Sequence, residues 1–204
     1  LDVRGRLVRL GPAIDQILSR HAYPPSVARL LGEAAALTVL LGSALKYEGR
    51  FQLQTRTDGV VDMLVVDFDA PDHLRAFARF DASKLQAAEA AGEAGPASLL
   101  GRGHLGFTIE QGGDLSRYQG VVALTGQGLE EAAHEYFRQS EQIPTLVRLA
   151  VAEDVTAAGS HWRAGGLMVQ FLPANSERMR VADIHPGDAP EGTTLHEVPD
   201  DDAW

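Results

Sequence analysis

RYQGVVALTGQGLEEAAHEYFRQSEQIPT, residues 117–145, is the stretch that decides the fold, because it joins a strand, a turn and a helix in one run. Residues 118–124 are rich in β-branched and other apolar side chains, which predicts a strand. Residues 129–139 carry apolar side chains at helical spacing, with two glutamates in the first turn, where carboxylates stabilise a helix. Pro144 prevents any further helix. The run therefore predicts a fold that mixes helices and strands.

Three strand-like runs precede this stretch, at residues 50–57, 60–68 and 73–80. Asp58-Gly59 separates the first two and is a strong signal for a hairpin turn, and Ala70-Pro71-Asp72 separates the last two. The middle run is apolar at consecutive positions, which is typical of a strand covered on both faces. We therefore expect residues 60–68 in the middle of an antiparallel sheet.

The longest predicted helix begins after Pro24 and runs to about Tyr47. Its side chains are apolar nearly all round, which predicts a helix buried at the centre of the molecule. Gly32 and Gly42 would let neighbouring elements approach it closely. A shorter helix is predicted at residues 83–91, followed by a loop rich in Gly, Ala and Pro. The fold class is α+β, with antiparallel β-sheets packed against a long buried central helix and a shorter helix.

Charge divides the chain into a core domain, residues 1–173, and an acidic segment, residues 174–204. The second segment has eight acidic residues and two arginines, with several Pro and Gly, and we expect a partly disordered linker. The formal net charge is −10 and the sequence has only two lysines, so nucleic acid, whose phosphates need clustered basic side chains, is disfavoured as a partner. The apolar run at residues 34–45 is too short to span a bilayer, so we expect a cytoplasmic protein with no membrane contact.

Three ordered blocks together carry a resemblance to a known family: residues 29–51 (RLLGEAAALTVLLGSALKYEGRF), residues 117–145, and residues 164–173 (AGGLMVQFLP). They resemble the redox-regulated 33 kDa heat-shock chaperonin family of bacteria. The resemblance implies the core of an ATP-independent holdase chaperone, a homodimer that binds unfolding client proteins and prevents their aggregation. Members of that family carry four C-terminal cysteines that bind zinc when reduced and form disulfides when oxidised. This sequence has no Cys, so the resemblance implies that zinc and the redox switch belong to a C-terminal domain missing from it, and no cofactor is expected here.

Two sets of site residues follow. Four apolar residues on adjacent predicted strands are expected to contribute to a client-binding sheet surface: Phe51, Leu53, Met63 and Val65. Five residues at the end of the motif helix are expected to maintain the architecture: Tyr136, Phe137, Ser140, Glu141 and Gln142. A Ser-Glu pair at a helix end more often caps carbonyls or holds a turn than contacts a substrate.

Two alternatives from other classes remain open at this point. The first is a small-molecule enzyme that uses the Ser140, Glu141 and His134 region, although His134 and Ser140 are six residues apart and point to different helix faces. The second is a structural dimerisation module. Residues 101–106 fit a G-x-G-x-x-G pattern, but a strand follows them where a nucleotide-binding loop needs a helix. His185 and His196 match no metal-ligand spacing, and we predict neither catalytic nor metal-binding residues.

Overall fold

The computed structural model describes residues 3–44, 49–111, 118–157 and 159–171. Two antiparallel sheets and five α-helices make up this part of the chain, which confirms the α+β class. The strands are β1 Val3–Leu10, β2 Gly49–Thr57, β3 Val61–Asp69, β4 His73–Phe80, β5 Arg102–Gln111, β6 Tyr118–Thr125, β7 Thr145–Thr156 and β8 Gly159–Phe171. The helices are α1 Pro12–Arg20, α2 Pro25–Gly42, α3 Ala82–Ala90, α4 Pro96–Leu100 and α5 Leu129–Tyr136.

The larger sheet has the strand order β4-β3-β2-β5-β6. The Asp58-Gly59 hairpin between β2 and β3 is confirmed, and the Asp58 carboxylate also accepts the backbone N–H of Arg102 at 2.7 Å. A side chain at Gly59 would collide with the carbonyl oxygen of Leu100, 2.3 Å from the Cβ position. This turn therefore needs glycine because α4 ends directly against it.

The central strand of the larger sheet is β2, so the expectation that residues 60–68 lie in its middle is wrong by one strand. A bulge between Val61 and Met63 shifts the side-chain alternation of β3, so its consecutive apolar residues do not indicate where the strand lies in the sheet. Val61 and Leu64 therefore lie on the same, buried face. The consecutive apolar residues therefore do not mean that both faces of β3 are covered: one face is buried, and the bulge brings Val61 onto it as well.

The smaller sheet has the order β1-β8-β7, so within the described residues the first strand pairs with the last. Residues along its three strands alternate between a buried face, with Val147, Ala164 and Met168, and a face turned away from the core. We call the second the outer face of the smaller sheet. The alternation is the ordinary signature of a sheet that is packed on one side only.

Helix α2 lies between the two sheets, which confirms the predicted buried central helix. The Cβ position of Gly32 lies 2.9 Å from Val151 on β7, and that of Gly42 lies 2.7 Å from Phe68 on β3. These two glycines thus bring the helix axis close to both sheets. Among the described residues, α2 is the one helix long and apolar enough to cross a membrane, and most of it is buried in this core.

Three element boundaries differ from the expectations. The described part of α2 ends at Gly42, whereas the prediction extended it to about residue 47. The loop predicted after α3 contains the short helix α4, which begins with Pro96 at its first position, where proline is well tolerated. The motif helix ends as an α-helix at Tyr136 and continues as a π-helical turn, Phe137–Glu141.

Candidate functional site

The motif helix ends in a tightly built junction. After the π-helical turn, Gln142 takes a left-handed conformation, with φ of 54°, which redirects the chain into Pro144 and β7. The carboxylates of Glu130 and Glu131 lie in the first turn of α5, where the helix dipole favours them. Glu130 also accepts the backbone N–H of Leu149 on β7, so the start of the helix is tied to the smaller sheet.

Tyr136 is the centre of this junction. Its ring is almost fully buried and lies edge-on to Phe107 and Phe137, at centroid distances of 4.9 and 5.5 Å. Its hydroxyl donates to Glu141 Oε1 at 3.0 Å, and burial raises the pKa of Tyr136 well above its ordinary value. A Cβ at Gly120 would lie 2.5 Å from the ring. The aromatic ring therefore depends on a glycine in β6.

The polar residues of the junction do not converge on a reaction centre. His134 Nε2 accepts the backbone N–H of Val147 at 2.8 Å, and Glu141 is engaged by Tyr136. Ser140 is exposed on the π-helical turn. Gln142 and His134 line a groove of about 720 Å³ together with Glu135, Arg138 and Ile143. The geometry accordingly gives no support to a nucleophile, base and orienter arranged as an enzyme needs them.

The four predicted client-binding residues lie on opposite faces of the larger sheet. Phe51 and Leu53 point toward α2 and are 5% and 0% exposed, with Phe51 stacked 5.8 Å from Phe107. Met63 and Val65 are half-buried on the other side, which we call the open face of the larger sheet. The four residues therefore do not form one surface, and in this conformation Phe51 and Leu53 are inaccessible to a partner.

The open face of the larger sheet is polar for most of its area. Ion pairs cross it between neighbouring strands: Arg50 to Asp69 at 2.8 Å and Arg79 to Asp62 at 2.8 Å. Gln52 donates to Asp67 at 2.7 Å beside them. A shallow groove of about 210 Å³ follows the glutamines of β2. Met63 and Val65 are thus small apolar areas within a network of paired charges.

The outer face of the smaller sheet carries the apolar surface that the sequence analysis missed. Leu7 is 70% exposed, Val3 and Phe171 are each 45% exposed, and Leu146 and Leu167 are about as open. The available signal was in β1, where Val3 and Leu7 alternate with Val8 and Leu10, so that both faces of this strand are apolar. One of those faces packs on α2 and the other faces solvent.

Three glutamates meet where α2 passes the start of α5. Desolvation and the charges of Glu130 and Glu131 raise the pKa of Glu33 to about 7. Glu33 and these two residues line a groove of about 480 Å³ with Pro96 and Gly128. An acid with such a pKa changes its charge near neutral pH.

Across the described ranges, no group of three His, Asp or Glu residues is arranged to hold a metal ion. His185, His196 and the whole acidic segment, residues 174–204, lie outside the described residues.

Comparison with known proteins places this architecture in a family. The sequence profile of the Hsp33 protein family matches residues 1–198. The chain belongs to the Hsp33 family. The 33 kDa chaperonin of Caulobacter vibrioides is 48% identical over 184 residues, which are 90% of this chain and 61% of that protein. The 33 kDa chaperonin of Shewanella loihica is 39% identical over 176 residues, 86% of this chain and 56% of that protein.

A crystal structure supports the Hsp33 fold independently. The 33 kDa chaperonin of Thermotoga maritima superimposes with a TM-score of 0.65 at 23% sequence identity, covering 82% of this chain and 56% of that chain. The family predicted from the three sequence blocks is therefore confirmed. Its relatives are named chaperonins rather than enzymes, and this chain spans less than two thirds of their length.

Proposed function

We propose that this chain is the client-binding core of an ATP-independent holdase chaperone. The observation that carries the proposal is the outer face of the smaller sheet, where large apolar side chains stand in solvent on a rigid, otherwise well-buried framework. Burial of apolar surface contributes about 25 cal/mol per Å², so such a face binds exposed apolar segments without nucleotide turnover. Membership of a family whose relatives are named chaperonins supports the same function.

The open face of the larger sheet is proposed as a second, weaker contact area. Met63 and Val65 belong to it, whereas Phe51 and Leu53 would contribute only if α2 moved away from the sheet. The architectural role of Tyr136, Phe137, Ser140, Glu141 and Gln142 is likewise a proposal. It is supported most directly by the bond between Tyr136 and Glu141.

The test is light scattering from a chemically unfolded client that is diluted into buffer with and without this chain. We expect suppression of aggregation near a stoichiometric ratio, equal in reducing and oxidising buffer because the chain contains no Cys. The control is an unrelated folded protein of similar size and charge at the same concentration. If the folded chain leaves aggregation unchanged at a several-fold excess, the proposed function is wrong for these residues.

Further proposals concern the full-length protein. Its redox regulation is proposed to reside in a zinc-binding cysteine domain outside this sequence, and the core is proposed to assemble as a cytoplasmic homodimer. Residues 1–173 are proposed as the core domain and residues 174–204 as the start of the linker. These proposals rest on the family resemblance and are tested by zinc analysis and by the mass of the full-length protein in solution.

A further inference from the structure

The outer face of the smaller sheet changes in character along β1 and β8, from apolar to basic. At one end Val3 lies opposite Phe171, and further along Leu7 lies opposite Leu167. Beyond these pairs the next outward positions of the two strands include Arg9 and Arg163. The third strand, β7, does not share this change: Leu146 and Arg148 lie beside the apolar end, and Ala150 and Ala152 follow, so the basic character comes from β1 and β8.

The apolar end has open space between two exposed side chains. Gly5 lies between Val3 and Leu7 on the same face, and a Cβ at Gly5 would meet nothing within 4 Å. Val169 on β8 lies directly opposite Gly5. A side chain of a bound segment therefore has space between two exposed apolar residues, where it would lose contact with water on several sides.

The basic end includes a groove of about 820 Å³. Arg9 and Arg163 line it and are exposed, and neither has a carboxylate partner in the described part of the chain. Asp154 is the acidic residue of this groove. Arg148, nearer the apolar end, is paired with Glu130 at 3.3 Å. Arg163 donates to the carbonyl oxygen of Trp162 at 2.8 Å and lies in the field of Asp15, but neither it nor Arg9 forms an ion pair in the described residues, so both guanidinium groups can accept a ligand carboxylate as a partner.

The two exposed sheet faces differ in this respect. On the larger sheet, Arg50 and Arg79 are each bound to an aspartate at 2.8 Å, so a ligand carboxylate would have to compete for them. On the smaller sheet Arg148 is paired with Glu130, whereas Arg9 and Arg163 form no ion pair in the described part of the chain. A protein with a net charge of −10 thus presents two arginines without a bound carboxylate on the same sheet face as the exposed Leu7.

We propose that this outer face binds extended segments of unfolded clients in which apolar residues are followed, about four positions along, by acidic residues. The spacing follows from β8, where Arg163 lies four residues from Leu167, the partner of Leu7. A bound extended segment rises by about the same 3.3 Å per residue, so its acidic residue should also lie four positions from its apolar one. The proposal rests on the proposed holdase function and adds a client class to it. A second copy fits less well, because a two-fold contact would bring the same unpaired arginines from both subunits.

The direct test uses the full chain and three fluorescently labelled peptides in an anisotropy titration. The peptides share one apolar half and carry either two acidic, two amide or two basic residues four positions along. We expect the acidic peptide to bind on the order of tenfold more tightly than the basic one, and the difference to shrink in 0.5 M salt because exposed charges are screened. Equal affinities for all three peptides would overturn the proposed client class.

Matched variants locate the site. Leu7→Ser with Leu167→Ser should weaken binding of all three peptides at least tenfold, whereas Arg9→Gln with Arg163→Gln should remove only the preference for acid. The control is Val155→Ser, which removes an apolar side chain that is 76% exposed at a β7 position alternating with the outer-face positions Leu146 and Arg148, and which should change nothing. Circular dichroism spectra establish that each variant is folded. A loss of binding in the control as large as in the first variant would refute the assignment of this face.

The outcomes separate this inference from the proposed function. If the chain suppresses client aggregation and Leu7→Ser with Leu167→Ser does so equally well, the assigned face is wrong and the holdase function stands. If the unsubstituted chain fails in the aggregation assay, the holdase function itself is wrong. If the leucine variant changes the mass in solution from dimer to monomer without weakening peptide binding, the face serves self-association and the proposal fails.

Discussion

At the scale of single residues, Glu33 is the side chain whose protonation we expect to matter most. Its folded-state pKa is raised to about 7, first by desolvation and then by Glu130 and Glu131. The folded state therefore holds a proton more tightly than the unfolded chain, and stability falls as pH rises from about 4.5 to about 7. A shift of this size corresponds to at most about 3 kcal/mol.

Glu33→Gln should raise the melting temperature at pH 8 by several degrees and leave it nearly unchanged at pH 5. Glu93→Gln on an exposed loop is the matched control, and an equal effect of both variants at pH 8 would contradict the explanation.

The hydroxyl of Tyr136 supports a second prediction at this scale. Tyr136→Phe removes the bond to Glu141 while keeping the ring packed against Phe107, and should cost about 1 kcal/mol of unfolding free energy. Glu141→Ala removes the acceptor and should cost a similar amount, and the double variant should cost less than the sum, because both changes break one interaction. Urea unfolding of the unsubstituted chain, the two single variants and the double variant gives the free energies of a double-mutant cycle. Strict additivity would mean that the bond contributes nothing to stability.

At the scale of elements, the contact between β6 and α5 depends on Gly120. Gly120→Ala would place a Cβ 2.5 Å from the Tyr136 ring and should cost about 1–3 kcal/mol through overpacking. Gly5→Ala on β1 is the matched control, since it too lies in a strand and a Cβ there meets nothing within 4 Å. Thermal unfolding should therefore show a clear loss for the first variant and almost none for the second. Equal melting temperatures of the two variants would show that the Tyr136 ring moves aside at little cost in unfolding free energy.

The same scale shows how far the sequence could predict this structure. The Asp58-Gly59 hairpin and helix α2 were predictable because turn chemistry and apolar periodicity are local signals. The faces of Phe51 and Val65 were not, because alternation gives two faces without saying which one α2 covers. The bulge in β3 has no local signal either, and it made an alternating strand look apolar on both sides. The apolar residues of β1 were visible in the sequence pattern, but the three-dimensional structure is needed to see that no described residue covers Val3 and Leu7.

At the scale of the whole molecule, Asp15 joins the first described helix to the last described strand. Its carboxylate accepts the Nδ1–H of His161 at 2.9 Å and the backbone N–H of Trp162 at 2.7 Å, which ties α1 to β8. These bonds hold the pKa of Asp15 below its ordinary value. The contribution to stability is therefore present above about pH 4 and is lost as pH falls through the lower folded-state pKa. Asp15→Ala should cost about 2 kcal/mol at pH 7 and progressively less as the pH falls below about 4, with faster hydrogen exchange in α1. Exchange that speeds up equally in every helix would argue against a local link.

The order of strands in the smaller sheet has a consequence for how the molecule is made. During translation Val3–Leu10 leaves the ribosome before its partner Gly159–Phe171, which follows after an interval on the order of ten seconds. Throughout that interval α2 lacks one of the two walls that will enclose it. The nascent chain therefore spends its first moments as a protein with uncovered apolar surface, the kind of molecule that its finished core is proposed to bind.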